Sequence, residues 1–224
     1  MKNYKISINP LMDFSTSTEA KKARIIRDQK NPNPFRVGWY QTPRACIKKS
    51  IVLGGELNPI VEGMKRLNDK VVTKKQQQSN KHVSMEAMHR YLSVSLPKVF
   101  KNHNFELIKE REIKSTFLKG VEIIVSPDLI FKIKHNGECY LGAVKLHISK
   151  GNVFNIQKSS NVATLIHKYL SELSDKYDAK VIPEFCFSYD VFAGRFVTAK
   201  KDMENSINEI IKMCEEVKLL WNVA

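Results

Sequence analysis

Leu129-Ile130-Phe131-Lys132-Ile133-Lys134-His135, then Asn136-Gly137, then Glu138-Cys139-Tyr140-Leu141-Gly142-Ala143-Val144-Lys145 reads as a β-hairpin, and Ser126-Pro127-Asp128 leads into it. Asn-Gly between two alternating apolar runs is the strongest short-range signal for a two-residue type I′ turn, because both central residues must take positive φ. His135 then faces Glu138. Counting outward, Ile133 faces Tyr140, Phe131 faces Gly142, Leu129 faces Val144, and Asp128 faces Lys145. Directly opposed Cβ atoms on one face lie about 5 Å apart, so Asp128, position 143 and Lys145 converge on one small volume. The other face carries Leu129, Phe131, Ile133, Tyr140, Val144, Leu146 and Ile148 and is the expected core side.

An Asp and a Lys so placed have two readings. The plain one is a Pro-Asp pair opening a strand and a cross-strand ion pair worth less than about 1 kcal/mol. The chemical one starts from the order of elements: a helix carrying Glu86, one or two strands, the hairpin, a long helix, a strand and a final helix. Together, Pro127, Asp128 and Lys145 in that order resemble the PD-(D/E)XK nuclease superfamily over residues 83–224. Its pattern is Pro-Asp on one strand and Glu or Asp, any residue, Lys on the next. Ala143 stands where the second carboxylate belongs.

The resemblance implies an α/β fold, a mixed central β-sheet flanked by helices (an αβββαβ restriction-endonuclease-like core), with a helical N-terminal region outside it. It implies a metal-dependent DNA endonuclease. Mg²⁺ or Mn²⁺ would be held by Asp128, the Val144 backbone carbonyl and a further carboxylate, with Lys145 orienting or activating water. Members of this group work in restriction, mobile-element and phage-defence systems. With Ala143 the activity of this chain stays open, and the alternative is a non-catalytic DNA-binding or assembly subunit on the same fold. Ala143 is a substitution, a natural loss, or the sign of an acid moved elsewhere. Glu86, at the edge of its helix's apolar stripe beside His89, is the leading candidate for a moved acid, and Glu112 and Glu122 precede the hairpin. Glu138 lies too far up the turn. A third class, an RNA-binding basic protein, follows if Asp128 and Lys145 do not pair.

Charge is the second functional signal. Lys and Arg number 37 against 23 Asp and Glu, a net +14, and the excess gathers in the N-terminal half, where Arg24, Arg27, Arg36, Arg44, Lys48, Lys74, Lys75 and Lys81 belong to it. Such a surface attracts phosphate backbones through counterion release. DNA is therefore the expected partner. Lys74, Lys75, Lys81, Arg36 and Arg44 are the expected nucleic-acid contacts, joined by Gln157 and Lys158 at the start of the helix after the Lys145 strand, where helix-terminal N–H groups favour phosphate. Ordinary capping explains that helix start equally well. Trp39 and Tyr40 either stack on bases or pack helices together.

The remaining expectations are organisational. At 224 residues and 42% hydrophobic content the chain can build one substantial core. No apolar run approaches the ~20 residues that span a membrane, so no membrane partner and a cytoplasmic location are expected. Cys46, Cys139, Cys186 and Cys214 are scattered without Cys-x-x-Cys spacing, against a zinc ribbon or disulfide framework. Residues 1–82 read as a basic helical region: a helix from the Thr16-Ser17-Thr18-Glu19 capping box to about Gln29, a second from Arg44 to Leu53 and a third from Ile60 to about Asn68. Val71 to Lys81 reads as a solvated basic linker. Residues 83–224 form the nuclease-like domain, opening with a helix Met85 to Phe100. A homodimer or a partner subunit of a larger complex is left open.

Overall fold

A computed structural model describes residues 3–32, 38–102, 105–110 and 114–223. In chain order the elements are β1 (Tyr4–Ser7), α1 (Ile8–Phe14), α2 (Glu19–Lys30), α3 (Gln41–Val52), α4 (Asn58–Asp69), α5 (Lys75–Leu92) and α6 (Lys98–Asn102). There follow β2 (Phe105–Leu107), β3 (Ser115–Leu118), β4 (Val121–Ile124), β5 (Leu129–His135), β6 (Glu138–His147), α7 (Ile156–Ser171), α8 (Ser174–Tyr177), β7 (Lys180–Asp190), β8 (Arg195–Thr198) and α9 (Glu204–Trp221). The fold is mixed α/β. A five-stranded sheet has the order β2-β5-β6-β7-β8, and a three-stranded sheet has the order β1-β4-β3.

The hairpin holds the register its turn demands. Asn136 and Gly137 take φ of 51° and 83°, and the pairs run from His135 with Glu138 to Leu129 with Val144. β2 and β5 are antiparallel, as are β5 and β6, whereas β6 and β7 run parallel. A parallel connection needs a crossover, and α7 supplies it. Gly142 lies opposite Phe131 at a bulge, and an added Cβ there would overlap the Phe131 ring. The missing side chain lets Phe131 close an aromatic cluster with Phe100 and Phe105, ring centroids 5.5 and 5.3 Å away. Each such pair contributes roughly 0.5–1.5 kcal/mol beyond its buried area.

Both faces of the five-stranded sheet are buried, which corrects the expectation of a single core side. Leu129, Phe131, Ile133, Val144, Leu146 and Ile148 pack with Ile47 and Ile51 of α3, Ile60 of α4 and Ala87 and Met88 of α5. The opposite face, with Ile130, Leu141, Ala143 and Cys186, packs under Val162, Ala163, Ile166 and Tyr169 of α7, and this second core extends to Ile6, Leu11, Phe14 and Ile210. A crossover helix must cover the face that it crosses, so the Ala143 face is interior. The basic N-terminal helices thus share cores with the sheet, and residue 82 falls inside α5.

Local readings shift in consistent ways. Thr18, not Thr16, caps α2, accepting from the Lys21 N–H at 3.4 Å. The expected linker is helical from Lys75 onward, because Lys, Gln and Ser need no apolar stripe to continue a helix packed further along. That helix ends at Leu92 rather than Phe100, and a separate turn, α6, begins after Pro97. The strand expected from Phe105 to Ile113 is formed over Phe105–Leu107 and does not continue through residues 108–110, while residues 111–113 lie outside the described residues. The N-terminal segment joins the second sheet through parallel pairing of Tyr4 with Val121, which no local pattern announces. Among the described residues no helix is long and apolar enough to cross a membrane, and all four cysteines are free.

Candidate functional site

The end of the hairpin opposite its turn positions the residues of interest. The Asp128 N–H donates to the Val144 carbonyl at 2.8 Å, and there the strand pairing stops. β6 continues past its partner, which leaves the Leu146 N–H and carbonyl without a neighbouring strand on that side. Asp128 Oδ2 accepts from the Leu146 N–H at 2.7 Å. Arg44 Nη1, from α3, donates to Asp128 Oδ1 at 2.5 Å and to the Leu146 carbonyl at 3.3 Å. One carboxylate and one guanidinium thereby satisfy backbone groups that would otherwise cost about 1–3 kcal/mol each. The Asp128 side chain is only 7% exposed and that of Arg44 35%.

Lys145 points to the opposite face from Leu146. Its Nζ donates to the Ser126 carbonyl at 2.6 Å, and Ser126 holds φ of 37°, a left-handed conformation costly for a residue with a Cβ. Burial lowers the Lys145 ammonium to about pKa 8 against the pull of Asp128, while Arg44 and Lys48 lower it further. The charge of Asp128 reaches Lys145, but the paired register ends at Leu129 with Val144 and Lys145 bonds the Ser126 carbonyl rather than Asp128. Arg44 pairs with Asp128, and the charges of Asp128, Arg44 and Lys48 all reach Lys145.

Other expected site residues take different places. Ala143 is fully buried, paired with Ile130 and Cys186 in the second core. Glu86 is committed elsewhere: its carboxylate accepts from Lys150 at 2.7 Å and Arg90 at 3.2 Å, and Lys150 foremost holds it below the usual carboxylate range. No described hydrogen bond or ion pair joins Glu86 to Asp128. Glu122 pairs with Lys5 at 3.1 Å in the three-stranded sheet, Glu138 is tied to Lys180 at the hairpin tip, and Glu112 lies outside the described residues. No moved acid is found among the described residues.

The expected nucleic-acid contacts divide. Lys74 and Lys75 are exposed at the start of α5. Lys81 Nζ instead staples the loop before that helix, donating to the Asn68 and Lys70 carbonyls at 2.8 and 3.0 Å. Arg44 is Asp128's partner, and Arg36 lies outside the described residues. Lys158 is buried, its Nζ donating to Thr16 Oγ1 at 2.8 Å, and Gln157 bonds Asn161 and Glu209, so the start of α7 is built inward. Tyr40 packs on Phe192 with centroids 6.1 Å apart, whereas Trp39 is 40% exposed. His147 is a core residue, stacked 3.5 Å from Phe154 with Nε2 2.6 Å from the Asn152 carbonyl.

The donor set does not fit a divalent metal. Mg²⁺ favours near-octahedral oxygen ligands with carboxylate charge. Here Asp128 is occupied by Arg44 and Leu146, Val144's carbonyl already accepts from Asp128, and no cluster of three His, Cys, Asp or Glu suited to a metal occurs among the described residues. The sequence alone places Arg44 among surface contacts and does not give its bond to Asp128. The available signal is Arg44 and Lys48, one helical turn apart and hence on one face of α3. The chain matches no model of a known protein family and none of the curated proteins with which it was compared.

Proposed function

We propose that this chain is a DNA-binding protein built on a nuclease-type core, without hydrolytic activity as its sequence stands. The observation that supports this reading is the occupant of the motif's one carboxylate: Asp128 is held by Arg44, with Lys145 and Lys48 close enough to act on one another's charge. A centre of three cations and one carboxylate attracts phosphate and disfavours a second pair of positive charges. The chain's net +14 extends that attraction across the helices. We read residues 126–145 with α7 and β7 as the hairpin, helix and strand of a PD-(D/E)XK-type core, a type whose substrates are phosphodiesters.

A second reading, a metal-dependent endonuclease disabled at position 143, is favoured by Lys145. A lysine with pKa about 8 has an appreciable neutral fraction near neutral pH and suits proton transfer to or from water.

Plasmid and oligonucleotide cleavage with Mg²⁺ or Mn²⁺ separates the two. Three proteins are compared: this chain, Ala143→Glu, and Ala143→Glu combined with Asp128→Ala. Salt-sensitive DNA binding with no cleavage by any of them is the expected result. Cleavage gained in Ala143→Glu and lost again when Asp128→Ala is added establishes the disabled nuclease. Absence of DNA binding refutes both readings.

A further inference from the structure

We propose that Arg44, Lys48 and Lys145 form a metal-independent phosphodiester-binding site, in which the Arg44 guanidinium takes the place beside Asp128 that a divalent cation would hold. This deepens the DNA-binding reading and rests on it. Arg44 uses only Nη1 on Asp128 and Leu146; its Nη2 and Nε make no hydrogen bond among the described residues, and the side chain is 35% exposed. A guanidinium fixed at one nitrogen presents its remaining N–H edge in a set direction, the geometry for two-point recognition of a phosphate.

Lys48 lies one turn further along α3, half-buried, with no acidic partner among the described residues, and its charge reaches Lys145. Lys145, on the opposite face of β6 from Leu146, is anchored by the Ser126 carbonyl and adds its charge to the site from there. Among the described residues, Asp128 is the carboxylate whose charge acts on Lys145. It positions Arg44 and at the same time cancels part of the positive field. A metal site behaves in the opposite sense: removing charge from Asp128 would abolish cation binding, whereas here it raises the uncompensated positive charges from two to three.

The test is the affinity of a fluorescein-labelled duplex oligonucleotide, read by anisotropy in EDTA and again with Mg²⁺. Wild type is compared with Asp128→Asn, Lys48→Gln and the double variant Lys74→Gln/Lys75→Gln. Asn at 128 keeps the acceptor for the Leu146 N–H, and Lys48 makes no bond within the described fold, so at least the latter variant remains folded. Binding in EDTA that tightens about three- to tenfold in Asp128→Asn and weakens by a similar factor in Lys48→Gln is expected, the scale of one partly screened charge pair. Unchanged affinity in Lys48→Gln, weakened affinity in Asp128→Asn, or binding that requires Mg²⁺ overturns the inference. If only the Lys74/Lys75 variant weakens, the protein binds DNA through its helices and this site is refuted while the DNA-binding reading stands. Absence of binding by wild type overturns both.

Discussion

The Arg44 guanidinium lies 2.5 Å from Asp128 Oδ1 and also donates to the Leu146 carbonyl, so a helix of the basic N-terminal region closes the end of the central hairpin. That bond turns a Pro-Asp motif into a strand-end cap, and Lys48 and Lys145 leave the surrounding charge positive.

Removing Arg44 should therefore cost stability. Arg44→Ala leaves Asp128, 7% exposed, without its counter-charge and the Leu146 carbonyl without its donor. A loss of about 2–3 kcal/mol is expected in urea unfolding, at or just below the range of about 3–5 kcal/mol for breaking a buried ion pair because Arg44 is partly solvated. Asp128→Asn retains the Leu146 bond and should lose about 1 kcal/mol. Equal losses would mean that Asp128 matters through its charge alone.

Lys145 makes a pH prediction of definite sign. Its folded pKa, about 8, lies below the ordinary 10.5, so the unfolded chain binds more protons between those values and stability from this group rises with pH across that window. The penalty of burying the charge is fully present below pH 8 and relieved toward pH 10.5. Buried tyrosines and cysteines such as Tyr189 and Cys186, with raised pKa values, act in the opposite direction. They cancel when wild type is subtracted from Lys145→Met, and the difference should favour wild type progressively from about pH 8 to 10. A flat difference would show that Lys145 is not buried as a cation.

Gly142 tests the hairpin register. A Cβ at this position would overlap Phe131 Cζ and sit 2.9 Å from the Phe185 carbonyl oxygen. Gly142→Ala is expected to destabilise by about 1–3 kcal/mol through overpacking, with part of the loss recovered when Phe131→Leu is added. Additive losses in the double variant would place Phe131 elsewhere.

The parts of the fold that are legible in the sequence are those with local chemical signals. Asn136-Gly137 determines the hairpin register because the turn admits few residues at positive φ, and the 3.6-residue pattern from Val162 to Leu170 locates α7 but leaves its start between Asn155 and Ser160, of which Asn155 is the cap. What stays hidden depends on distant partners. β1 exists through pairing with β4 far along the chain. Burial of the Ala143 face follows from where α7 returns, and the start of α5 has no apolar period to reveal it. In the candidate site, register brings Asp128 to the end of the hairpin, but Arg44's bond to Asp128 joins distant parts of the chain and cannot be read from spacing.

Salt dependence of duplex binding in EDTA bears most directly on the account. Across roughly 50 to 200 mM monovalent salt, the logarithm of the association constant should fall linearly with the logarithm of salt concentration, with a slope corresponding to several neutralised phosphates. No measurable binding at the low-salt end, or an affinity indifferent to salt, would contradict a protein that works by gathering phosphates onto a cationic centre and the basic helices around it.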